Sequence, residues 1–137
     1  MKNVIIFTND QGGVSVCIPT GEISIGEVKN KDCPVDSYII PESVLPLADK
    51  DFFDAWEQKS GVVFVNIQKA KEITKKRLRS ERQHLLELQD IEFQRAIESG
   101  SSTQSIIAEK QRLRDITNLV DQAKTLDDLR SITVIGV

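Results

Sequence analysis

The densest collection of side chains able to do chemistry is a basic run: Lys69, Lys71, Lys75, Lys76, Arg77, Arg79 and Arg82, interrupted among charged residues only by Glu72 and Glu81. On a helix these cations spread around much of the circumference, so a phosphate-binding face is conceivable, each neutralised phosphate adding salt-dependent affinity. The run has no aromatic residue for base stacking, and it sits in a chain of net charge −3. A solvated helix surface, or a charge-complementary contact with the acidic N-terminal part of the chain, is therefore favoured over nucleic acid. The seven cations are carried forward as candidate partner-binding residues.

Other reactive types are sparse. His84, the sole histidine, has no serine, cysteine or acid placed around it by a motif, and is expected to be an ordinary helix residue. Cys17 and Cys33 are too few for a metal cage and are not a C-x-x-C pair. They are expected to behave as small buried hydrophobes, with the question of whether they meet left open. Asp10-Gln11-Gly12-Gly13 resembles an anion nest but lacks the strand, loop and helix order of a nucleotide fingerprint, so a hairpin turn is expected. Asp49, Asp51 and Asp54 lack the glycine and closing glutamate of a calcium loop, and read as acids at a helix start. No catalytic, cofactor-binding or metal-ligating residue is expected, and no enzyme.

The whole chain sets the frame for these residues. Its 137 residues, 39% of them apolar, suffice for one domain with a core, or a small domain with a helical extension. Residues 1–66 carry five bases and ten acids, whereas residues 67–137 carry thirteen and eleven. The apolar start at residues 4–7 is too short for a signal peptide and reads as a strand. No stretch approaches the roughly 20 apolar residues that cross a bilayer. Two cysteines fit a reduced, cytosolic chain.

An α+β architecture follows from the punctuation. Residues 4–7 and the alternating Val14, Val16 and Ile18 make a hairpin around the Gly12-Gly13 turn. Ser24 and Glu27 have capping-box spacing for a short helix to Lys31, and residues 37–40 form a third strand before Pro41. A second short helix starts at Asp49 and carries Phe52, Phe53 and Trp56. Gly61 breaks the chain, and residues 62–65 form a fourth strand. Residues 1–65 thus make a small, mostly antiparallel docking unit.

Residues 66–137 read as a helical arm. Asn66 is a plausible N-cap for a helix running to Gly100, with a thin apolar stripe at Ile67, Ala70, Ile73 and Leu78. The stripe thickens at Leu85, Leu86, Ile91, Phe93, Ala96 and Ile97, so the first half is the one that should need a partner. A polar turn at residues 99–103 precedes a return helix with Ile106, Leu113, Ile116, Val120 and Ala123 at near-heptad spacing, and Glu109 as the one polar residue in the seam. That is a helical hairpin with coiled-coil-like packing. Thr125 and Asp128 cap a last short helix holding Leu126, Leu129 and Ile132. Residues 133–137 are a terminal strand, or a tail needing cover.

Residues 3–22, 52–56, 70–82, 109–117 and 125–129 together resemble small proteins of tailed bacteriophages and prophages of enteric bacteria, encoded in tail and tail-fibre gene regions. The resemblance brings no catalytic residues. It implies a nonenzymatic structural or assembly protein, tail-associated, acting on other phage structural proteins and as a homo-oligomer, without a membrane. It places the protein in the bacterial host cytoplasm during assembly, or in the virion. The alternative is a small phage regulator that binds nucleic acid through residues 69–82.

Overall fold

A computed structural model describes residues 2–135. The architecture is α+β: small antiparallel sheets at the N-terminus, then a long helix and shorter helices. The chain divides into two compact units, Met1–Ala70 and Lys71–Val137, so the division falls one turn inside the long helix.

In the first unit, β1 (Asn3–Thr8) is the centre of a three-stranded antiparallel sheet, flanked by β2 (Val14–Cys17) and β3 (Tyr38–Pro41). Val4, Ile5 and Ile6 are all fully buried, because a central strand covered on both faces loses the usual alternation. On one side Val4, Ile6 and Val14 join Leu45 and Trp56 in a core against which Val16, Ile40, Val63 and Val65 pack. Each such side chain contributes about 1.5–3 kcal/mol when fully buried. Helix α1 (Ile25–Asp32) packs against β1 and buries Val28. Its cap is half of the expected box: Ser24 Oγ accepts the Glu27 amide, while the hydroxyl itself donates to the Glu27 carboxylate.

Two expectations in this unit need correction. The helix expected from Asp49 is a set of 3₁₀ turns over Leu47–Ala55, with non-helical backbone at Asp49 and Phe52. Trp56 leaves it to begin a strand, β4 (Trp56–Lys59), paired with β5 (Val62–Val65) in a separate two-stranded sheet. The indole explains the change: its ring is part of the core and its N–H donates to the Asp49 carbonyl at 3.2 Å. The described residues therefore form five strands, and Gly61 is a turn residue rather than a break. Ser60 and Gly61 both take positive φ, 53° and 83°, as a two-residue hairpin turn demands.

Helix α2 (Ile67–Ser99) runs for 33 residues. The Asn66 side chain accepts the amides of Gln68 and Lys69, which is the N-cap read from sequence. At the other end Gly100, at φ 73°, makes a Schellman stop: the Ser101 amide bonds Ala96 and the Gly100 amide bonds Ile97.

The second unit contains the rest of α2 with α3 (Gln104–Asp115), α4 (Asn118–Gln122) and α5 (Leu126–Ser131). Leu113, Ile116, Val120 and Ala123 are buried as the seam predicts. The return segment is nevertheless two helices, not one. Leu119 and Val120 bond back three residues, to Ile116 and Thr117, tightening the chain at Thr117-Asn118, where helix propensity is low. The Thr125–Asp128 capping box of α5 is complete. Residues 133–135 form no strand, although Val134 is buried; Gly136 and Val137, which belonged to that expectation, lie outside the described residues.

The burial of α2 reverses the expected weakness. In its sparse first half Ala70, Thr74 and Leu78 are 0%, 1% and 0% exposed. In the richer second half Leu88, Ile91 and Ile97 remain 43%, 49% and 55% exposed. Small side chains let neighbours approach and seal the thin stripe, whereas the thick stripe is wider than a single returning helix can cover.

Candidate functional site

At 100° per residue Lys71, Lys75 and Arg82 fall within about 40° of one another on α2. Leu78 lies about 20° to one side of them, Arg77 flanks the stripe beyond Thr74 on that same side, and Lys76 and Arg79 lie on the opposite flank. The first group is therefore aimed at the interior of its own unit. Lys71 Nζ donates to the Asp121 carbonyl at 3.3 Å, in the last turn of α4. Arg77 Nη2 donates to the carbonyls of Leu129 and Ile132 at 3.4 and 2.8 Å, at the end of α5. Arg82 Nη1 donates to the carbonyls of Leu113 and Arg114 at 3.3 and 2.8 Å, in the last turn of α3.

One cation thus reaches the C-terminal end of each of the three shorter helices. The last carbonyls of a helix have no partner within it and carry partial negative charge, which a cation stabilises by about 0.3–1 kcal/mol at an exposed end and by more when partly buried. Side-chain pairs reinforce the arrangement. Lys75 meets the Asp121 carboxylate at 2.8 Å, and this bond, with the nearby charges of Lys75 and Lys71, holds the Asp121 carboxyl below its ordinary range. Arg77 also pairs with Glu81 at 3.3 Å. In the first unit Lys69 meets Glu57 at 2.5 Å, and hydrogen bonds from Lys69 and then Asn66 lower the Glu57 pKa.

Five of the seven candidate cations are engaged in this way. Lys76 and Arg79 are exposed and make no hydrogen bond or ion pair among the described residues. The structure does not gather the seven into one outward face. A signal for this was present: cations interleaved with Thr74 and Leu78 on one stripe must cover apolar surface with their stems and send their heads to nearby polar groups.

The distal hairpin has its own polar ties. Lys110 joins α3 to α2 through Asp90 at 2.6 Å and lies 5.2 Å from the Phe93 ring centroid. Arg112 bonds Glu109 at 2.6 Å and the Val134 carbonyl at 2.9 Å. The hydrogen bond from Arg112 holds the Glu109 carboxyl low and raises the guanidinium pKa in return. That contact explains how a glutamate sits in the apolar seam. Beside it lies an open groove of about 740 Å³ whose lining includes Arg112, Ile116, Leu119, Ser131, Ile132 and Ile135; the Ser131 hydroxyl donates to the Asp128 carbonyl at 2.7 Å.

The remaining candidates resolve individually. His84 is exposed on α2. The Asp10–Gly13 nest is consumed locally: Asn9 Oδ1 accepts the Gln11 and Gly13 amides at 3.0 Å each, and the Gly12 amide bonds the Asn9 carbonyl. The segment is a hairpin turn. Among the described residues no group of three or more His, Cys, Asp or Glu side chains is arranged to hold a metal ion, and no helix is long and apolar enough to cross a membrane. Cys17 and Cys33 are free and half-buried rather than fully buried; burial first, and Cys17 after it, push the Cys33 thiol up.

No protein-family model matches the chain, and no curated protein or solved structure matches it either.

Proposed function

We propose that this chain is a nonenzymatic protein-interaction component that self-associates through its helical hairpin and serves bacteriophage assembly. The observation that carries the interaction reading is the apolar surface of the hairpin: Leu88, Ile91 and Ile97 on α2 and Ile107 on α3 are all exposed. Two antiparallel helices enclose one seam and leave their flanks open. A second hairpin packed on the flank that carries Leu88 and Ile91, which lie about 60° apart on α2, closes that flank as a four-helix bundle.

Charge favours a second copy as the occupant. Residues 83–99 carry four acids and one base, whereas residues 104–115 carry three bases and two acids. An arrangement with α2 of one copy beside α3 of the other brings opposite signs together. The tail-associated role, in the host cytoplasm during assembly or in the virion, rests on the resemblance to tail-region phage and prophage proteins. The competing reading, a regulator binding nucleic acid through residues 69–82, retains only Lys76 and Arg79 as unengaged cations among the described residues.

Quantitative mass spectrometry of purified particles and tail intermediates, made in a host carrying this gene, tests the assignment. A fixed copy number in either fraction supports it. Absence from both fractions, together with a monomeric purified protein, overturns it.

A further inference from the structure

The groove beside Glu109 and the exposed Leu88 and Ile91 open on the same flank of the α2–α3 hairpin. Its other flank is marked by Lys110, which meets Asp90 and lies over the Phe93 ring. On α3, at 100° per residue, Lys110 is turned about 60° to one side of Leu113, whereas Glu109 and Arg112 are turned about 40° and 100° to the other. On α2, Asp90 is turned about 120° in the same sense from Ala96, whereas Leu88 and Ile91 are turned about 80° and 140° in the opposite one. Leu113 and Ala96 are both buried, and in facing antiparallel helices the same sense of rotation leads to the same flank. The levels agree as well. Arg82 reaches the Leu113 and Arg114 carbonyls and Asp90 meets Lys110, so Leu88, between them, stands level with the Glu109–Arg112 turn. The groove lining there includes Arg112, which holds the Val134 carbonyl, and the exposed Ile135.

We propose that this groove receives Leu88 of a second copy, with Ile91 packed at its rim, so that two hairpins dock reciprocally. The proposal rests on the self-association put forward above and supplies the receiving surface for it. A two-fold axis parallel to the hairpin keeps every residue at its own level and sets α2 of one copy across from α3 of the other. Leu88 of each copy then meets Arg112 and Ile135 of its mate, and the contact is made twice per dimer. Neighbouring helices are antiparallel throughout, which suits their dipoles. Charge selects this occupant: Glu81 and Glu92 lie within about 40° of Leu88 on α2, and the Arg112 side chain on the groove wall is still 40% exposed beside Glu109. Two apolar anchors at i and i+3 are what a groove reads on a docking helix. The volume of about 740 Å³ falls within the range of binding pockets, roughly 300–1,000 Å³.

The test is a charge exchange in the full chain, read by sedimentation and native mass spectrometry. Leu88 and Ile135 are both exposed, so Leu88→Lys and Ile135→Glu should keep the fold, which circular dichroism at low concentration checks. Each variant alone should associate about tenfold or more weakly than the parent, having lost an aliphatic contact in both grooves. Their equimolar mixture should recover the parent affinity as a mixed dimer. In one of its grooves the lysine of one variant meets the glutamate of the other, and in the second the two native residues meet. Leu119→Glu, at another exposed position of the lining, stands in for Ile135→Glu should that variant misfold. A groove variant that associates like the parent, or a mixture no tighter than either variant alone, would overturn the docking and leave self-association standing. A monomeric parent would overturn self-association itself, and the docking with it.

Discussion

Arg77 Nη2 donates a 2.8 Å hydrogen bond to the carbonyl oxygen of Ile132, 55 residues away in sequence. The same nitrogen reaches Leu129, so one guanidinium closes the end of α5. Removing it should destabilise the second unit. Arg77→Ala is predicted to cost about 1–2 kcal/mol, the lower part of the range for hydrogen bonds to charged groups because the side chain is partly exposed. Arg77→Lys should recover only part of this, since one ammonium cannot reproduce the fork. Lys76→Ala and Arg79→Ala should stay within about 0.5 kcal/mol of the parent. Denaturant unfolding followed by circular dichroism separates the two classes.

Nucleic-acid binding provides a second check on the basic run. Neutralisation of phosphates by Lys76 and Arg79 alone limits the salt slope to about 2 in log K against log salt. Fluorescence anisotropy with duplex and single-stranded probes should therefore detect weak binding at most. A steep slope, matching five or more phosphates, would show that the capping cations turn outward in solution.

The β4–β5 turn makes a prediction with two signs. Ser60 holds φ 53° without being glycine, and the Asn-Gly sequence is better suited to that turn. Ser60→Asn should stabilise the first unit by about 0.5 kcal/mol. At Gly61 a Cβ would have to be held at φ 83° and would lie 3.2 Å from the Tyr38 ring. Gly61→Ala should cost about 1–2 kcal/mol. Thermal melts of the two variants should move in opposite directions.

Acid should weaken both units through identifiable carboxylates. The pKa values of Glu57, Glu109, Asp121 and Asp128 are lowered by Lys69, Arg112, Lys75 and the Lys124 and Thr125 amides respectively. A carboxyl whose folded pKa lies below its unfolded value contributes fully above the unfolded value, about 4. The contribution disappears as pH falls through the folded pKa. Stability should therefore be flat in this respect near neutrality and fall below about pH 4. Melting temperature against pH, with Asp121→Asn and Glu109→Gln flattening the acid limb, measures it.

Local chemistry made much of this fold legible in the residues. Asn66, Gly100 and Thr125 announced the ends of helices, and Leu113, Ile116, Val120 and Ala123 announced the seam. Strand β4 escaped because Glu57-Gln58-Lys59 has none of the β-branched or aromatic residues that mark strands, and because Trp56 shares helix-like spacing with Phe52 and Phe53. Its pairing with β5 is a tertiary fact. The candidate site was legible only in part: Lys71, Arg77 and Arg82 stood out by charge, but their acceptors are backbone carbonyls more than 30 residues away, which no side-chain pattern encodes.

The central claim is that the basic run ties its own unit together while the hairpin's exposed apolar residues make the interface. Sedimentation of the full chain across a wide concentration range tests it most directly, comparing the parent with Leu88→Glu/Ile91→Glu and with Lys76→Ala/Arg79→Ala. Concentration-dependent association is predicted for the parent and the basic-residue variant, with loss of association but unchanged helical content in the glutamate variant. A parent that stays monomeric at its highest soluble concentration, or association that disappears with Lys76 and Arg79 instead, would contradict it.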